Sequence, residues 1–210
     1  MQNLPNVAFI HGSGQSGHSF NYLQVFLPEH NLLCLEYQTQ EDPEVILKRF
    51  ELQTHAQFGS EPFFIISHSY GGLLASLFAS RNKNVKKIVT LSSPWKGSRT
   101  AGWLNMVFRQ SKLFMNMKPN SYFIKDIQNL KLDIPMLNVI TTGSIKGSGN
   151  DLAGMGAAND GLLTIETQKS LPAGFSNAKS IEVALSHNEV LLCYDTVNII
   201  IQHTFGIDDE

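Results

Sequence analysis

The chain has 210 residues, which is enough for one substantial core and short for two, so we expect a single domain spanning residues 1–210. Hydrophobic residues make up 42% of the chain and charged residues only 16%, which favours a folded globule with a weakly ionic surface over a disordered chain. The formal net charge of -2 provides no broad positive field to gather phosphates, so nucleic acid is not an expected partner.

Six short apolar runs follow one another along the chain, separated by longer segments, several of which have helical periodicity. This alternation predicts an α/β protein with a doubly wound, predominantly parallel six-stranded sheet and helices on both faces. The runs are continuously apolar, as is typical of strands buried on both sides. They cover residues 7–10, 32–37, 63–67, 87–92, 136–141 and 180–185.

The first of these runs is also the longest apolar stretch near the start of the chain, and its four residues are too few for a signal peptide or a membrane span. We therefore expect a cytoplasmic protein without a transmembrane segment. Cys34 and Cys193 each lie inside an apolar segment and in no bridging or metal-ligand pattern, so we interpret both as buried free thiols.

Three helices are predicted from capping residues and periodicity. Asp42 can cap a helix that begins with Pro43 and stops at Gly59. A second helix follows the third strand, and a third precedes Gly206. Their apolar faces are formed by Ile46, Leu47 and Phe50 in the first, Leu73, Leu74, Leu77 and Phe78 in the second, and Leu191, Tyr194, Val197 and Ile201 in the third.

Residues 99–132 break the strand-helix rhythm because the segment is longer than a crossover requires and is rich in apolar side chains, among them Trp103 and Phe108. We interpret it as a small helical cap, or lid, inserted between two strands. The alternative is an ordinary long crossover with one amphipathic helix.

The most informative segment is residues 63–72, an apolar strand that runs through Ser67, Ser69 and Gly71 into a helix. A nucleophile elbow requires this layout, since the turn strains the backbone of the serine and leaves room only for small residues two positions before and after it. The segment resembles the G-x-S-x-G elbow of the lipase and esterase branch of the α/β-hydrolase superfamily, with Ser67 in place of the first glycine. The resemblance extends over nearly the whole chain and is strongest to minimal serine lipases, and it makes Ser69 the nucleophile.

A glycine-rich loop, residues 11–17, follows the first strand. It is similar to the family's oxyanion loop, and the resemblance implies that the backbone N–H groups of Ser13 and Tyr70 form the oxyanion hole. The same loop also matches the G-x-G-x-x-G pattern of dinucleotide-binding proteins, but His11 before it and the serine elbow after it favour the hydrolase interpretation. We interpret His11 as a residue that braces the loop.

The family's chain order of nucleophile, acid and histidine implies the remaining members of the site. His187 follows the last predicted strand and is the expected base. Asp160 is the preferred acid, because residues 159–167 resemble the family's acid turn entering a helix, and Asp151 is the alternative.

The resemblance implies a serine hydrolase that cleaves carboxylic esters through an acyl-enzyme intermediate, with no metal or organic cofactor. The expected substrate is a small acyl ester or a lipid, and Trp103 and Phe108 are the candidate side chains for contacting it. Thioester cleavage, acyl transfer and amide cleavage by the same triad are alternatives, because the motif identifies the nucleophile and not the leaving group. A catalytically inactive binding protein on the same fold is a third hypothesis.

Overall fold

Six strands form one sheet in a computed structural model that describes residues 5–27, 30–98, 112–143 and 158–206. The order across the sheet is β2-β1-β3-β4-β5-β6, and every neighbouring pair is parallel. The predicted α/β class with a parallel six-stranded sheet is confirmed. The strands are β1 (Asn6–Ile10), β2 (Asn31–Leu35), β3 (Phe63–His68), β4 (Val85–Leu91), β5 (Met136–Thr141) and β6 (Ala178–Val183).

The helices cover both faces of this sheet. They are α1 (Asn21–Val25), α2 (Pro43–Phe58), α3 (Tyr70–Ala79), α4 (Lys112–Met117), α5 (Tyr122–Gln128), α6 (Ile165–Lys169) and α7 (Tyr194–Phe205), with 3-10 turns at Gly17–Phe20 and Glu189–Leu191.

Both faces of the sheet are apolar, as β1 shows. Successive residues of a strand point to opposite faces. Ala8 and Ile10 belong to a buried cluster that includes residues of α2, α3 and α5. Val7 and Phe9 belong to a second cluster, which includes residues of α1 and α7. The run is therefore continuously hydrophobic because neither face of the strand meets water.

The predicted helix boundaries are confirmed where the sequence carries capping residues. The side chain of Asp42 accepts a hydrogen bond from the N–H of Glu44, and α2 begins at the next residue, Pro43. Gly59 at the end of α2 and Gly206 at the end of α7 have φ angles of 62° and 67°, which glycine adopts without steric penalty.

Part of the predicted cap, residues 112–132, contains α4 and α5. Met117, Phe123, Ile124 and Ile127 are buried in the same cluster as α3, so this part of the segment completes the core. Trp103 and Phe108 lie outside the described residues. The cap role of residues 99–132 thus stays a prediction.

The two edge strands differ slightly from their predicted ranges. β2 ends at Leu35 and β6 ends at Val183, each at the last residue paired with its neighbour β1 or β5.

Cys34 on β2 and Cys193 before α7 are free thiols, but they are half-buried and not fully buried. An edge strand has a neighbour on one side only, which leaves residues such as Cys34 partly uncovered.

Candidate active site

Ser69 occupies the turn between β3 and α3. Its φ of 53° and ψ of -124° are strained for a residue with a side chain, and such conformations are kept where the surroundings force them. The N–H of Ser69 donates to the carbonyl of Leu91 at 2.8 Å, and its carbonyl accepts from the N–H of Gly72 at 3.0 Å. The turn is therefore fixed by hydrogen bonds on both sides of the serine, whose side chain stands at the carboxyl end of the sheet.

The residues two positions to either side of Ser69 are small for identifiable reasons. A Cβ atom on Gly71 would lie 2.3 Å from the carbonyl oxygen of Ile10 and 2.5 Å from that of His11. Ser67 is fully buried, and its hydroxyl donates to the carbonyl of Val89 at 3.1 Å. The serine that replaces the family's first glycine is thus accommodated because its hydroxyl has an acceptor on the neighbouring strand.

Asp160 and His187 form a buried pair at the same end of the sheet. Nδ1 of His187 lies 2.8 Å from Oδ2 of Asp160, and the N–H of His187 donates to the carbonyl of Asp160 at 3.0 Å. Asp160 is fully buried and His187 is 5% exposed. The carboxylate therefore fixes the tautomer of the imidazole, with the proton on Nδ1 and Nε2 free to accept. Asp151, the alternative acid, lies outside the described residues.

The carboxylate of Asp160 is surrounded by donors. Oδ1 accepts from the N–H groups of Leu162 and Leu163 at 3.0 and 2.7 Å, and Oδ2 accepts from the hydroxyl of Thr141 at 2.6 Å and from Nε2 of Gln168 at 3.0 Å. Burial by itself would raise the pKa of Asp160, but the hydrogen bonds from His187, Thr141 and Leu163 and the charge of the imidazole outweigh it and lower that pKa. The site thus holds a negative charge without solvent.

His68, the residue before Ser69, connects the elbow to the histidine loop. Its Nε2 lies 2.8 Å from the carbonyl oxygen of His187, and the centres of the two imidazole rings are 4.8 Å apart. Burial is the main reason that the pKa of His68 is lowered to about 3, so the ring is neutral and donates from Nε2. The predicted nucleophile and the predicted base therefore belong to adjoining segments.

The loop after β1 also reaches the elbow. A Cβ atom on Gly12 would lie 3.1 Å from the Cβ of Ser69. Within the described parts of the chain, neither the N–H of exposed Ser13 nor that of Tyr70 has a hydrogen-bond acceptor. The two amides predicted for the oxyanion hole thus belong to segments that adjoin at Ser69, and both keep their donor capacity.

His11 is buried at the start of this loop. Its ring stacks on Tyr37 with centroids 4.2 Å apart, and Nδ1 lies 2.8 Å from the carbonyl oxygen of Gly12. Burial lowers the pKa of His11. These contacts suit a residue that braces the loop.

The sequence reasoning missed the partners that surround Asp160. Thr141 ends β5 and Gln168 lies in α6, and their contact with the carboxylate arises only when the two elements pack together. No local pattern marks either residue. Nothing in the sequence indicated the hydrogen bond between His68 and the carbonyl of His187.

None of the helices in the described residues is both long and apolar enough to cross a bilayer. Likewise, no group of three or more histidine, cysteine or acidic side chains in those ranges could hold a metal ion.

The strand order and the strained serine between β3 and α3 define the α/β-hydrolase fold. A family model described as a PGAP1-like alpha/beta domain matches residues 34–206, and the chain belongs to that family. A search of curated protein sequences finds no significant match.

Solved structures of hydrolases superimpose on nearly the whole chain. The lipase BlEst2 of Bacillus licheniformis in its mature form has a TM-score of 0.73 at 18% identity, over 96% of this chain and 92% of that one. A lipase-esterase related protein from Clostridium acetobutylicum has a TM-score of 0.68 at 13% identity, over 96% and 95%. The enol-lactonase from Burkholderia xenovorans has a TM-score of 0.65 at 12% identity, over 97% and 92%. At these identities the likeness establishes the fold.

Proposed function

We propose that the protein is a serine hydrolase that cleaves carboxylic esters through an acyl-enzyme intermediate, with Ser69 as nucleophile, His187 as general base and Asp160 as the acid that orients it. The observation that carries the proposal is the buried Asp160–His187 pair, bonded through His68 to the segment that bears a strained serine. Burying a carboxylate is costly, and a fully buried carboxylate bonded to an imidazole at the carboxyl end of the sheet supports a catalytic role for the pair.

The chemistry follows the usual order of a serine hydrolase. Nε2 of His187 takes the hydroxyl proton as Oγ of Ser69 bonds to the ester carbonyl carbon, and the carbonyl oxygen becomes an oxyanion. The proton then passes to the alcohol oxygen as the C–O bond breaks. Water gives a proton to His187 and attacks the acyl carbon, after which that proton returns to Oγ and the acid leaves.

The proposed oxyanion hole consists of the N–H groups of Ser13 and Tyr70. Both amides lack an acceptor in the described chain, and the Tyr70 amide is at the first turn of α3, where the helix dipole favours negative charge. This arrangement supports stabilisation of the tetrahedral intermediate.

The proposed substrate is a small acyl ester or a lipid. Several structural neighbours are described as lipases or lipase-esterase related proteins, which supports an acyl substrate. Trp103 and Phe108 stay the proposed contacts for the acyl chain. No metal or organic cofactor is required by the proposed chemistry.

The direct test is labelling with a fluorophosphonate probe together with hydrolysis of short p-nitrophenyl esters. Ser69→Ala should abolish labelling and lower kcat on the order of 10⁶-fold, the loss seen when a serine triad is disabled. Ser80→Ala, at the end of α3 and bonded only to the backbone of its own helix, is the matched control and should label normally.

The same assay distinguishes the alternatives. A preference for acyl thioesters by orders of magnitude, or efficient transfer of the acyl group to an added alcohol or amine, would replace the ester assignment. Absence of labelling in the folded wild-type protein would favour a binding protein on the hydrolase fold.

A further inference from the structure

Gln168 lies against the carboxylate of Asp160 and is fully buried. Its Nε2 donates to Oδ2 of Asp160 at 3.0 Å and to the carbonyl of Thr141 at 3.2 Å. Its Oε1 accepts from the N–H of Thr141 at 2.9 Å. One carboxamide therefore connects the acid to the end of β5.

The orientation of this carboxamide is determined by its neighbours. The N–H of Thr141 can only donate and the carboxylate of Asp160 can only accept, so Oε1 must face the former and Nε2 the latter. The backbone of Gln168 is held as well, because its carbonyl accepts from Nδ2 of Asn138 at 3.0 Å. The donor is thus aimed at Oδ2 before any substrate arrives.

Oδ2 is the oxygen that also faces Nδ1 of His187. It receives three hydrogen bonds, from His187, Thr141 and Gln168, at 2.8, 2.6 and 3.0 Å. The Thr141 hydroxyl is itself 2.9 Å from that of Ser92. Since Thr141 has one hydroxyl proton and gives it to the carboxylate, Ser92 donates to Thr141. The acid is therefore supported by a chain of oriented donors that starts at a strained residue, as Ser92 has a φ of 53°.

We propose that Gln168 is a positioning residue of the hydrolytic site, whose carboxamide keeps Oδ2 of Asp160 ionised and aligned with Nδ1 of His187. This inference rests on the proposed function in so far as His187 acts as the base. A carboxylate without solvent needs donors for each lone pair, and charge-assisted bonds are the stronger ones.

The competing explanation is that Gln168 merely connects β5 to α6. Gln128 on α5 provides a matched control for that role, because its Nε2 also donates to two backbone carbonyls, those of Trp95 and Ser170, at 2.8 and 3.2 Å. Gln128 makes no contact with Asp160 or His187 among the described residues. A purely structural effect of either substitution should lower the stability of the protein without moving the pH profile.

The experiment compares Gln168→Met, Gln168→Glu and Gln128→Met in the full chain. Methionine keeps the shape of glutamine and lacks its hydrogen bonds. We expect Gln168→Met to lower kcat for a short p-nitrophenyl ester about tenfold with little change in KM, and to move the acidic limb of the kcat/KM profile about one unit to higher pH. The limb moves up because a less stabilised carboxylate makes the Asp160–His187 pair hold its proton more tightly. Gln128→Met should leave both quantities unchanged.

Gln168→Glu makes the donor to Asp160 depend on pH. A protonated carboxyl at this position can still donate to Oδ2 of Asp160, whereas an ionised one repels it. Its kcat should therefore approach that of the wild type at the acidic end and fall below that of Gln168→Met as the pH rises. This variant also keeps the inference testable if the methionine variant melts too early to assay.

A readout that needs no turnover separates this inference from the proposed function. In ¹⁵N-labelled protein, the proton on Nδ1 of His187 should give a strongly downfield resonance, identified by its loss in His187→Gln. The resonance should persist in Gln128→Met and be shifted or lost in Gln168→Met. If Gln168→Met matches Gln128→Met in this signal and in the pH profile, the inference is overturned. If this expected difference between the two variants is found and the wild type hydrolyses no ester, only the proposed function is rejected.

Discussion

At the scale of single residues, the carboxylate of Asp160 is a charged group that the fold removes from water. It is fully buried, yet the donors around it lower its pKa, so it carries its charge away from water. In the proposed mechanism, this charge stabilises the imidazolium that forms when His187 accepts a proton, and it also fixes the ring orientation.

Replacing this charge should remove most of the activity. In Asp160→Asn the side chain keeps its size, but the amide no longer dictates that Nδ1 of His187 carries the proton. We expect kcat/KM for short esters to fall about 10⁴-fold, the magnitude known for a serine triad with this change. Steady-state kinetics on the purified variant measure it.

The control for this variant is Asp133→Asn. The carboxylate of Asp133 is exposed and accepts hydrogen bonds from the side chains of Ser176 and Asn177. It should retain full activity. A variant at Asp160 with more than a tenth of the wild-type kcat/KM would contradict the assignment, and a larger loss from Asp151→Asn would move the acid to that position.

The difference between what could and could not be predicted at this scale has a physical origin. Ser69 lies in a local strand-turn-helix pattern, and the positions of Asp160 and His187 follow from the family's chain order. Gln168 and Thr141 contact the carboxylate only through the packing of α6 on β5. A contact made by tertiary packing leaves no periodicity or spacing in the sequence that could identify it.

At the scale of elements, the site depends on the close approach of α3 to β1. The first turn of α3 passes directly over the carbonyl groups of Ile10 and His11. Gly71 permits this approach, and the approach brings the oxyanion loop beside the elbow.

A side chain at Gly71 should therefore separate the two elements. In Gly71→Ala the new Cβ would lie 2.3 Å from a backbone oxygen that cannot rotate away, so the helix or the strand must shift. We expect the free energy of unfolding in urea to fall by about 1–3 kcal/mol, the usual range for overpacking.

Gly206→Ala provides the comparison, because that position has a φ of 67° but a Cβ atom added there would meet no atom of the described residues within 4 Å. It should lose only the backbone penalty of about 1 kcal/mol. A Gly71→Ala variant as stable as the wild type would show that the clash is relieved without cost.

The predictability of the elements also depends on burial. The inner strands β3 and β5 match their predicted ranges almost to the residue, because both faces of each are covered along the apolar run. The edge strands β2 and β6 are less buried, and the residues at their ends are not distinguished by burial from those that follow. Their predicted runs therefore end two residues beyond the last paired residue. The order of the strands across the sheet could not be predicted from the apolar runs, because neighbours in the sheet need not be neighbours in the chain.

At the scale of the whole molecule, several histidines are held neutral by the fold. Burial is the largest cause in each case, and it lowers the pKa of His68 to about 3 and that of half-buried His203 to about 4, and also lowers that of His11. The unfolded chain, in which histidine titrates near 6.5, therefore binds more protons than the folded protein at mildly acidic pH.

It follows that the folded protein should lose stability as the pH falls from about 6.5 towards 3. The sign is that of a group whose folded pKa lies below its unfolded value: the unfolded state takes up protons first and is favoured by acid. The stabilisation from Asp160 is lost at lower pH still, since its unfolded pKa is 3.8 and its folded pKa is lower. Acid should thus unfold the protein first through its histidines.

His68→Gln isolates the largest part of this dependence. Glutamine does not titrate and its amide can donate to the carbonyl of His187 as the ring does. Urea unfolding measured at several pH values should show a loss of stability between pH 6.5 and 3 that is smaller by on the order of 4 kcal/mol than in the wild type. His55→Gln, an exposed position on α2, should keep the wild-type slope. Parallel slopes for the wild type and His68→Gln would mean that burial does not lower the pKa of His68 in the folded protein.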